Sequence, residues 1–512
     1  MNAKHNPSTG KWLLTLLGLV LFAQLSPAQE AWRDGRNIAG AAREAPATGQ
    51  TANALIGAKF TSGSFRSPSD GSTLWTGLAK ASAESRYEDL FLTGNFGFEL
   101  TQGSEMTGSM FTHPGYYPID VLEFTPGTKL RQTYDIGGGL AWKNASRWTP
   151  GGTVRFQGIN YAKRKDLRHT TYRQELEFVP SVAYTGEGWM VGLSYIFGKT
   201  SEFIAAEQVG QAKAESYMAF LDKGLLFGTL QAWDGSGVHL KEAGVDRFPV
   251  KEITHVIALQ ASVGLALYAD IEYDRTQGTV GEKGYIWFRF PGARLNASMS
   301  GTLKSSSGIH RWKASWKWSR QENDETVLEK VTEGGVTTPV EYGNNRIYRR
   351  RAIDFSPSYS FVHNKGWRAD VQAGLEYDKY QITIMYPYLF RHEPLIVRGS
   401  LNGEVPAGPF LIRAAAQFSA AVAENDSSEI LADESLGVSS TPYQLGDWWA
   451  MQEEWQDAPR LSLSLELRYY FHLGHNLPLY VQAGCLYTRA FRITALPGAN
   501  RQTTHLTLGY CF

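Results

Sequence analysis

From about residue 53 onward the chain is written in alternation. Over 461–472, Leu461, Leu463, Leu465, Leu467, Tyr469 and Phe471 share one parity, and Ser462, Ser464, Glu466, Arg468, Tyr470 and His472 the other. Residues 294–304 set Leu295, Ala297, Met299 and Leu303 against Arg294, Asn296, Ser298, Ser300 and Lys304. Residues 311–319 set Trp312, Ala314, Trp316 and Trp318 against Arg311, Lys313, Ser315 and Lys317, and 368–377 repeat the pattern. Successive side chains of a strand point to opposite faces, so a membrane-spanning strand reads as about ten residues, apolar toward lipid and polar toward a lumen. A soluble sandwich also alternates. Charged residues in mid-strand and aromatic residues near strand ends favour a wet lumen and interfacial girdles instead.

The pattern predicts an all-β protein, a single transmembrane antiparallel β-barrel with long extracellular loops. Short turns fall near 86–88, 144–146, 186–188, 305–308, 363–366, 406–408 and 474–476; long connections fall near 103–128, 200–222, 321–345 and 425–459. About twenty candidate strands emerge, those near 223–233 and 282–290 being the weakest, so about 18 strands are expected, within 16–20. No plug is expected ahead of the first strand, placed near 53–65. The chain closes on Leu506, Leu508, Tyr510 and Phe512 alternating with Thr507, Gly509 and Cys511. That ending resembles the C-terminal signal by which the barrel-assembly machinery recognises outer-membrane strands. Cys485 shares parity with lipid-facing residues and Cys511 does not, so two free thiols are expected; opposite faces cannot be bridged.

Composition narrows the class. The 512 residues carry zero formal net charge and a mean hydropathy of −0.29. No apolar run long enough for a membrane helix follows the N-terminus. Balanced charge offers no nucleic-acid footprint, and two cysteines make no disulfide scaffold. At the N-terminus, Lys4 and Lys11 lead into the apolar run 12–23, and Ser26 and Ala28 precede Gln29. This is the grammar of a secretory signal. The expected organisation is a signal peptide over 1–28, a periplasmic segment over 29–52 and the barrel over 53–512, in the outer membrane and in contact with its lipid.

The stretch Phe220-Leu221-Asp222-Lys223-Gly224-Leu225-Leu226-Phe227-Gly228, continuing through Trp233–Leu240 to Gly244–Val250, resembles a family of uncharacterised outer-membrane β-barrel proteins from Bacteroidota-type Gram-negative bacteria. The resemblance implies a barrel and an outer-membrane address. It brings no activity, and an association with an outer-membrane uptake receptor is implied only weakly.

Chemistry-bearing motifs are few. Ser236 and His239 lie three apart without the strand-to-helix context of a nucleophile elbow. His239 with Glu242 is half a metal site with no second half, and His472 and His475 flank a turn. No catalytic, cofactor or metal residues are therefore expected, and no enzymatic activity. Charge says more. From Glu424 to Asp457 there are nine acidic residues and no Lys or Arg, together with Trp448, Trp449 and Trp455. Arg346, Arg349, Arg350 and Arg351 cluster elsewhere, and Lys304, Arg311, Lys313 and Lys317 share the lumen parity. The candidate lumen lining is thus Lys304, Arg311, Lys313, Lys317, Arg346, Arg349 and Arg350. These residues either guide a polar solute as charged rings do or form internal salt bridges that fill the barrel. The first option makes the protein a channel, transporter or accessory uptake component for a small polar solute. The second makes it a plugged binding or assembly subunit of a partner receptor.

Overall fold

The structure, a computed structural model, describes residues 32, 36–44, 49–143, 146–165, 167–207, 218–232, 248–264, 266–282, 285–383, 389–428, 445–473 and 477–511. After helix α1 (Ile38–Glu44) come β1 (Gly49–Gly63), β2 (Thr73–Tyr87), β3 (Leu90–Ser109), β4 (Asp120–Trp142), β5 (Trp148–Lys163), β6 (Arg168–Thr185) and β7 (Trp189–Glu207). Then follow β8 (Met218–Asp222), β9 (Gly228–Ala232), β10 (Phe248–Val263), β11 (Leu267–Glu282), β12 (Tyr285–Lys304), β13 (Gly308–Glu333), β14 (Val336–His363) and β15 (Arg368–Thr383). The chain ends with β16 (Leu389–His392), β17 (Leu395–Ala407), β18 (Phe410–Ala423), β19 (Ser427–Ser428), helix α2 (Leu445–Asp457), β20 (Arg460–Leu473), β21 (Leu477–Ala490) and β22 (Asn500–Cys511). Strands β8, β9, β16 and β19 are short and lie at one end. The other 18 form a closed antiparallel barrel.

Closure is made by β1 on β22, in register from Asn53↔Cys511 to Gly63↔Arg501. Every backbone ladder is therefore paired, as a lipid environment demands. Each half of the alternation lands on its own face. Ile136, Leu140, Val371, Leu401 and Leu465 are half or more exposed on the outside, where exposure means contact with hydrocarbon. Tyr87, Trp142, Trp148, Trp189 and Trp367 ring the short-turn end as exposed aromatics, the position of an interfacial girdle. Both ends of the described barrel chain, Gly49 and Cys511, lie at this end, which is the periplasmic side of an even-stranded barrel. Cys485 is a free thiol on the outward parity, and the side chain of Cys511 lies outside the described residues.

Several boundaries differ from the sequence pattern; the long connection expected near 321–345 is instead the paired outer ends of β13 and β14, joined at Gly334-Gly335. The first barrel strand begins at Gly49. The weak candidate near 223–233 is no wall strand: β8 and β9 make a hairpin whose first strand pairs with the outer end of β4. The weak candidate near 282–290 is the first part of a full wall strand, β12.

The expectation that no plug precedes the first strand is corrected by the N-terminal segment. Asn37 caps α1, its Oδ1 accepting the Gly40 N–H at 3.0 Å. Ile38 and Ala42 of α1 pack with Phe91 and Ala141 of the wall. Trp32, fully buried, meets Ala183, Met190 and Tyr268 and donates its indole N–H to Ser262 at 3.0 Å. The wall makes room by omitting side chains. A Cβ at lumen-facing Gly139 would lie 2.6 Å from Ile38 Cδ1, and one at Gly192 would lie 2.8 Å from the Trp32 ring. The segment thus sits inside the lumen near the short-turn end.

Candidate functional site: a capped polar lumen

The opposite mouth is covered from within. Between β3 and β4 the chain turns inward because residues 110–119 are too apolar to stand in water. Met110, Phe111, Tyr117 and Ile119 are buried against Ile204, Phe248, Val280, Trp287, Phe290 and Ile347, side chains from five different wall strands. Polar groups of this loop find partners on the lumen wall. The Thr112 N–H donates to Glu202 at 2.8 Å, the Tyr116 hydroxyl donates to Glu252 at 2.7 Å, and Gln321 Nε2 donates to the Tyr116 carbonyl at 3.0 Å. At the loop's base the carboxylate of Glu123 sits between Lys129 (2.9 Å) and Lys163, all three buried. A buried carboxylate kept between two ammonium groups is the arrangement that makes such burial tolerable.

A second layer comes from the β8–β9 hairpin and α2. Phe220 and Leu226 join Leu122, Phe124 and Trp448 in one apolar cluster. Trp448 meets Phe124 edge-on at 5.4 Å, and the neighbouring Trp449 meets Phe390 edge-on at 5.2 Å. The last turn of α2 is fastened to the β21–β22 connection, Glu454 accepting the N–H groups of Ala495 at 2.9 Å and Leu496 at 2.6 Å. Those bonds outweigh burial and hold the Glu454 carboxyl below its usual range. Burial pushes Asp222, at the end of β8, up to about 7, against the pull of its bonds from the Gly224 and Leu226 N–H groups.

Beside α2 a histidine is gripped on both ring nitrogens. His392 is fully buried, with Nδ1 3.0 Å from Asp426, 3.8 Å from Glu453, and Nε2 3.2 Å from Asp457. Burial alone would lower its pKa. The Asp457 and Asp426 carboxylates prevail and push it up to about 9. Glu453 is pushed up to about 7 by burial and by its proximity to Asp426.

Beneath this cover the lumen is polar. A cavity of about 710 Å3 against β11–β15 is lined by Arg311, Lys313 and Lys317, by Asp270, Glu272 and Asp370, and by serines of β12 to β14. Arg36, from the N-terminal segment, reaches the same cavity. A recess of about 630 Å3 across the lumen holds Lys80, Glu99, Asp135 and Arg155. Both signs of charge line each space, so a solute with separated charges or many hydrogen-bonding groups finds partners on either wall.

The residues singled out in the sequence therefore separate. Arg311, Lys313 and Lys317 line the cavity. Lys304 shares their inward face but sits at the turn after β12. Arg350 points inward, fixed to Asp378 at 3.1 Å and lying over the Tyr380 ring. Arg349 lies on the outward parity as the neighbour of inward Arg350, and Arg346 joins it because a bulge opposite Asn323/Asp324 shifts the β14 register; they pair with Glu322 and Asp324 of β13 at 2.8 Å each. The acidic segment does not meet them: among its described residues, Asp426, Glu453 and Asp457 converge on His392, and Glu454 binds backbone. Leu506 and Leu508 face outward, and β22 pairs with β1 through them. The expected signal peptide over 1–28, Ser236, His239, Glu242, His475 and Phe512 lie outside the described residues. Sequence reasoning missed the cap, the plug and the His392 cluster. The triplet Gly137-Gly138-Gly139 and the aromatic run 111–117 were the available signals.

A closed 18-stranded barrel with an apolar outer belt, an aromatic girdle and a charged interior is an outer-membrane β-barrel protein. By sequence the chain belongs to the "Family of unknown function (DUF6850)", whose match spans residues 45–512. No functionally curated protein matches it. Among solved structures it is similar to the ferric preacinetobactin receptor BauA from Acinetobacter baumannii, at 10% identity and a TM-score of 0.41 over 91% of this chain and 80% of that one. It is similar to the copper transporter OprC at 8% and 0.43, covering 91% and 83%. It is also similar to OccK11 of Pseudomonas aeruginosa at 9% and 0.35, covering 90% and 96%.

Proposed function

We propose that this barrel is a non-enzymatic outer-membrane transporter or uptake component for a small polar solute, with its outer mouth gated by the cap. The observation that carries the proposal is the cavity of about 710 Å3, lined by Lys313, Lys317, Asp270 and Glu272 and reached by Arg36 of the N-terminal segment, in a lumen whose outer mouth carries an apolar cover built from loop connections. Such a cover excludes water and ions while closed, and a charged chamber below it holds a solute by replacing its hydration with side-chain contacts. Loops are the part of a barrel that moves without disturbing the wall, since their opening leaves the hydrogen-bond ladders between the 18 wall strands intact. Liposome swelling tests the reading: vesicles carrying protein with the cap loosened should take up zwitterionic or sugar-like solutes faster than vesicles carrying wild type. Equal, negligible swelling in both would count against transport.

A second reading is a binding or assembly subunit docking a partner receptor. It is favoured by one observation, the burial of Trp32 and α1 in the lumen, which leaves both ends of the barrel obstructed. Co-purification from native outer membranes separates the two, because a stoichiometric partner retained by a barrel that never conducts supports the subunit.

A further inference from the structure

We propose that His392, Asp426 and Glu453 form a binding site for a divalent transition-metal cation, Zn2+ foremost, and that Asp457 is its positioning residue. The three side chains come from three different connections at the outer rim: β16, the segment after β18, and α2. Their ligand atoms lie within 4.8 Å of one another. Around a Zn2+ ion with ligands at about 2.0–2.2 Å, neighbouring ligand atoms stand roughly 3.0–3.6 Å apart. Asp426 Oδ1 and Oδ2 lie 3.0 and 3.1 Å from His392 Nδ1. Glu453, at 3.8 Å, closes the remaining gap by a small side-chain shift on the surface of α2.

Asp457 supplies the second, independent observation. Its side chain is 5% exposed, and its Oδ1 has no hydrogen-bond partner among the described residues. The nearest cation to it is Nε2 of the fully buried His392, at 3.2 Å. A buried carboxylate facing one imidazole nitrogen fixes the proton there and turns the other nitrogen toward the metal, which binds as that nitrogen's own proton leaves, the arrangement found behind metal-ligating histidines. Here the other nitrogen faces two more carboxylates, so a bound cation takes the place of the proton that otherwise bridges them. Three carboxylates around one imidazole leave negative charge that one imidazolium cannot neutralise, in a pocket walled by Trp449 and Tyr380. One nitrogen with carboxylate oxygens suits Zn2+, or more weakly Mn2+, whereas Ca2+ prefers an all-oxygen shell. The bound ion would tie α2 to the rim and so strengthen cap closure. The site stands whether or not the cap opens for transport.

The test uses tag-free full-length protein in detergent, stripped with chelator and titrated with ZnCl2 by calorimetry and with CoCl2 by visible absorbance. One saturable site is expected, with a d–d band of Co2+ bound through nitrogen and oxygen. His392→Ala should abolish it, Glu453→Gln should weaken it, and Asp457→Asn should lower affinity about 10–100-fold. Heat-modifiable electrophoretic mobility confirms that each variant keeps its barrel, and Glu453, on the surface of α2, is the substitution least coupled to folding. Absence of saturable binding to wild type, or binding unchanged in folded His392→Ala or Glu453→Gln, overturns the site. An unchanged affinity in Asp457→Asn overturns the positioning role.

Discussion

The guanidinium of Arg173 on β6 lies 4.3 Å from the centre of the Tyr116 ring, so a wall strand holds the inward loop by a charge stacked on its aromatic tip. The same guanidinium pairs with Glu175 at 2.9 Å and approaches Glu202 at 3.6 Å, while Glu202 receives the Thr112 N–H. One buried arginine thereby joins the loop to two strands. Arg173→Ala removes the stack and leaves Glu202, fully buried, without its cation. Breaking a buried pair in this way costs about 3–5 kcal/mol, felt by the cap more than by the wall ladders. The expected result is faster proteolytic cleavage within 110–119 and an unchanged barrel mobility on electrophoresis.

Charge reversal on the inner wall should change what the lumen favours. In a protein with its cap loosened, Lys313→Glu and Lys317→Glu are expected to shift the reversal potential toward cation selectivity, since both line the cavity. Arg346→Glu should leave selectivity unchanged, because Arg346 lies on the outward face against Asp324. Bi-ionic potentials on the three variants measure the contrast.

The N-terminal plug is held by shape. Trp32→Ala deletes a fully buried indole and its bond to Ser262, a loss of about 3–5 kcal/mol. Gly192→Leu has the same consequence from the wall side, because its side chain would occupy the Trp32 site. Both variants should expose residues 32–44 to added protease while the wild-type segment resists.

Burial of Asp222 makes part of the cap's stability depend on pH. Its folded pKa, about 7, is raised above the ordinary carboxyl value, so the native cap binds its proton more tightly than the open state does. The contribution is fully present below the ordinary carboxyl pKa and is lost as pH rises toward and through about 7. Cleavage of the β8–β9 hairpin should therefore be faster at pH 8 than at pH 5, relative to an Asp222→Asn variant in which this dependence disappears.

The wall was legible because its signal is local. Leu461 to Phe471 fixed which face of β20 meets lipid, and the strand observed runs from Arg460 to Leu473. The terminal run through Leu508 likewise identified the closing strand. The cap was not legible, since the adjacent pairs Met110-Phe111 and Tyr116-Tyr117 break the alternation and bury themselves against strands distant in sequence. The His392 cluster hid for the same reason: its members lie 34 or more positions from that histidine, and no spacing rule joins residues brought together by barrel closure. Arg346 and Arg349 were assigned to the lumen by charge; Arg349 faces outward by plain alternation with Arg350, and one bulge in β14 turned Arg346 outward.

The central claim is that a polar conduit lies behind removable obstructions. Planar-bilayer recording tests it most directly, comparing wild type with a variant lacking residues 29–44 and carrying a short Gly-Ser turn in place of 111–118. The account predicts a nearly silent wild type and steady, ion-selective conductance in the variant. A variant that keeps its heat-modifiable barrel and still passes no current would contradict it.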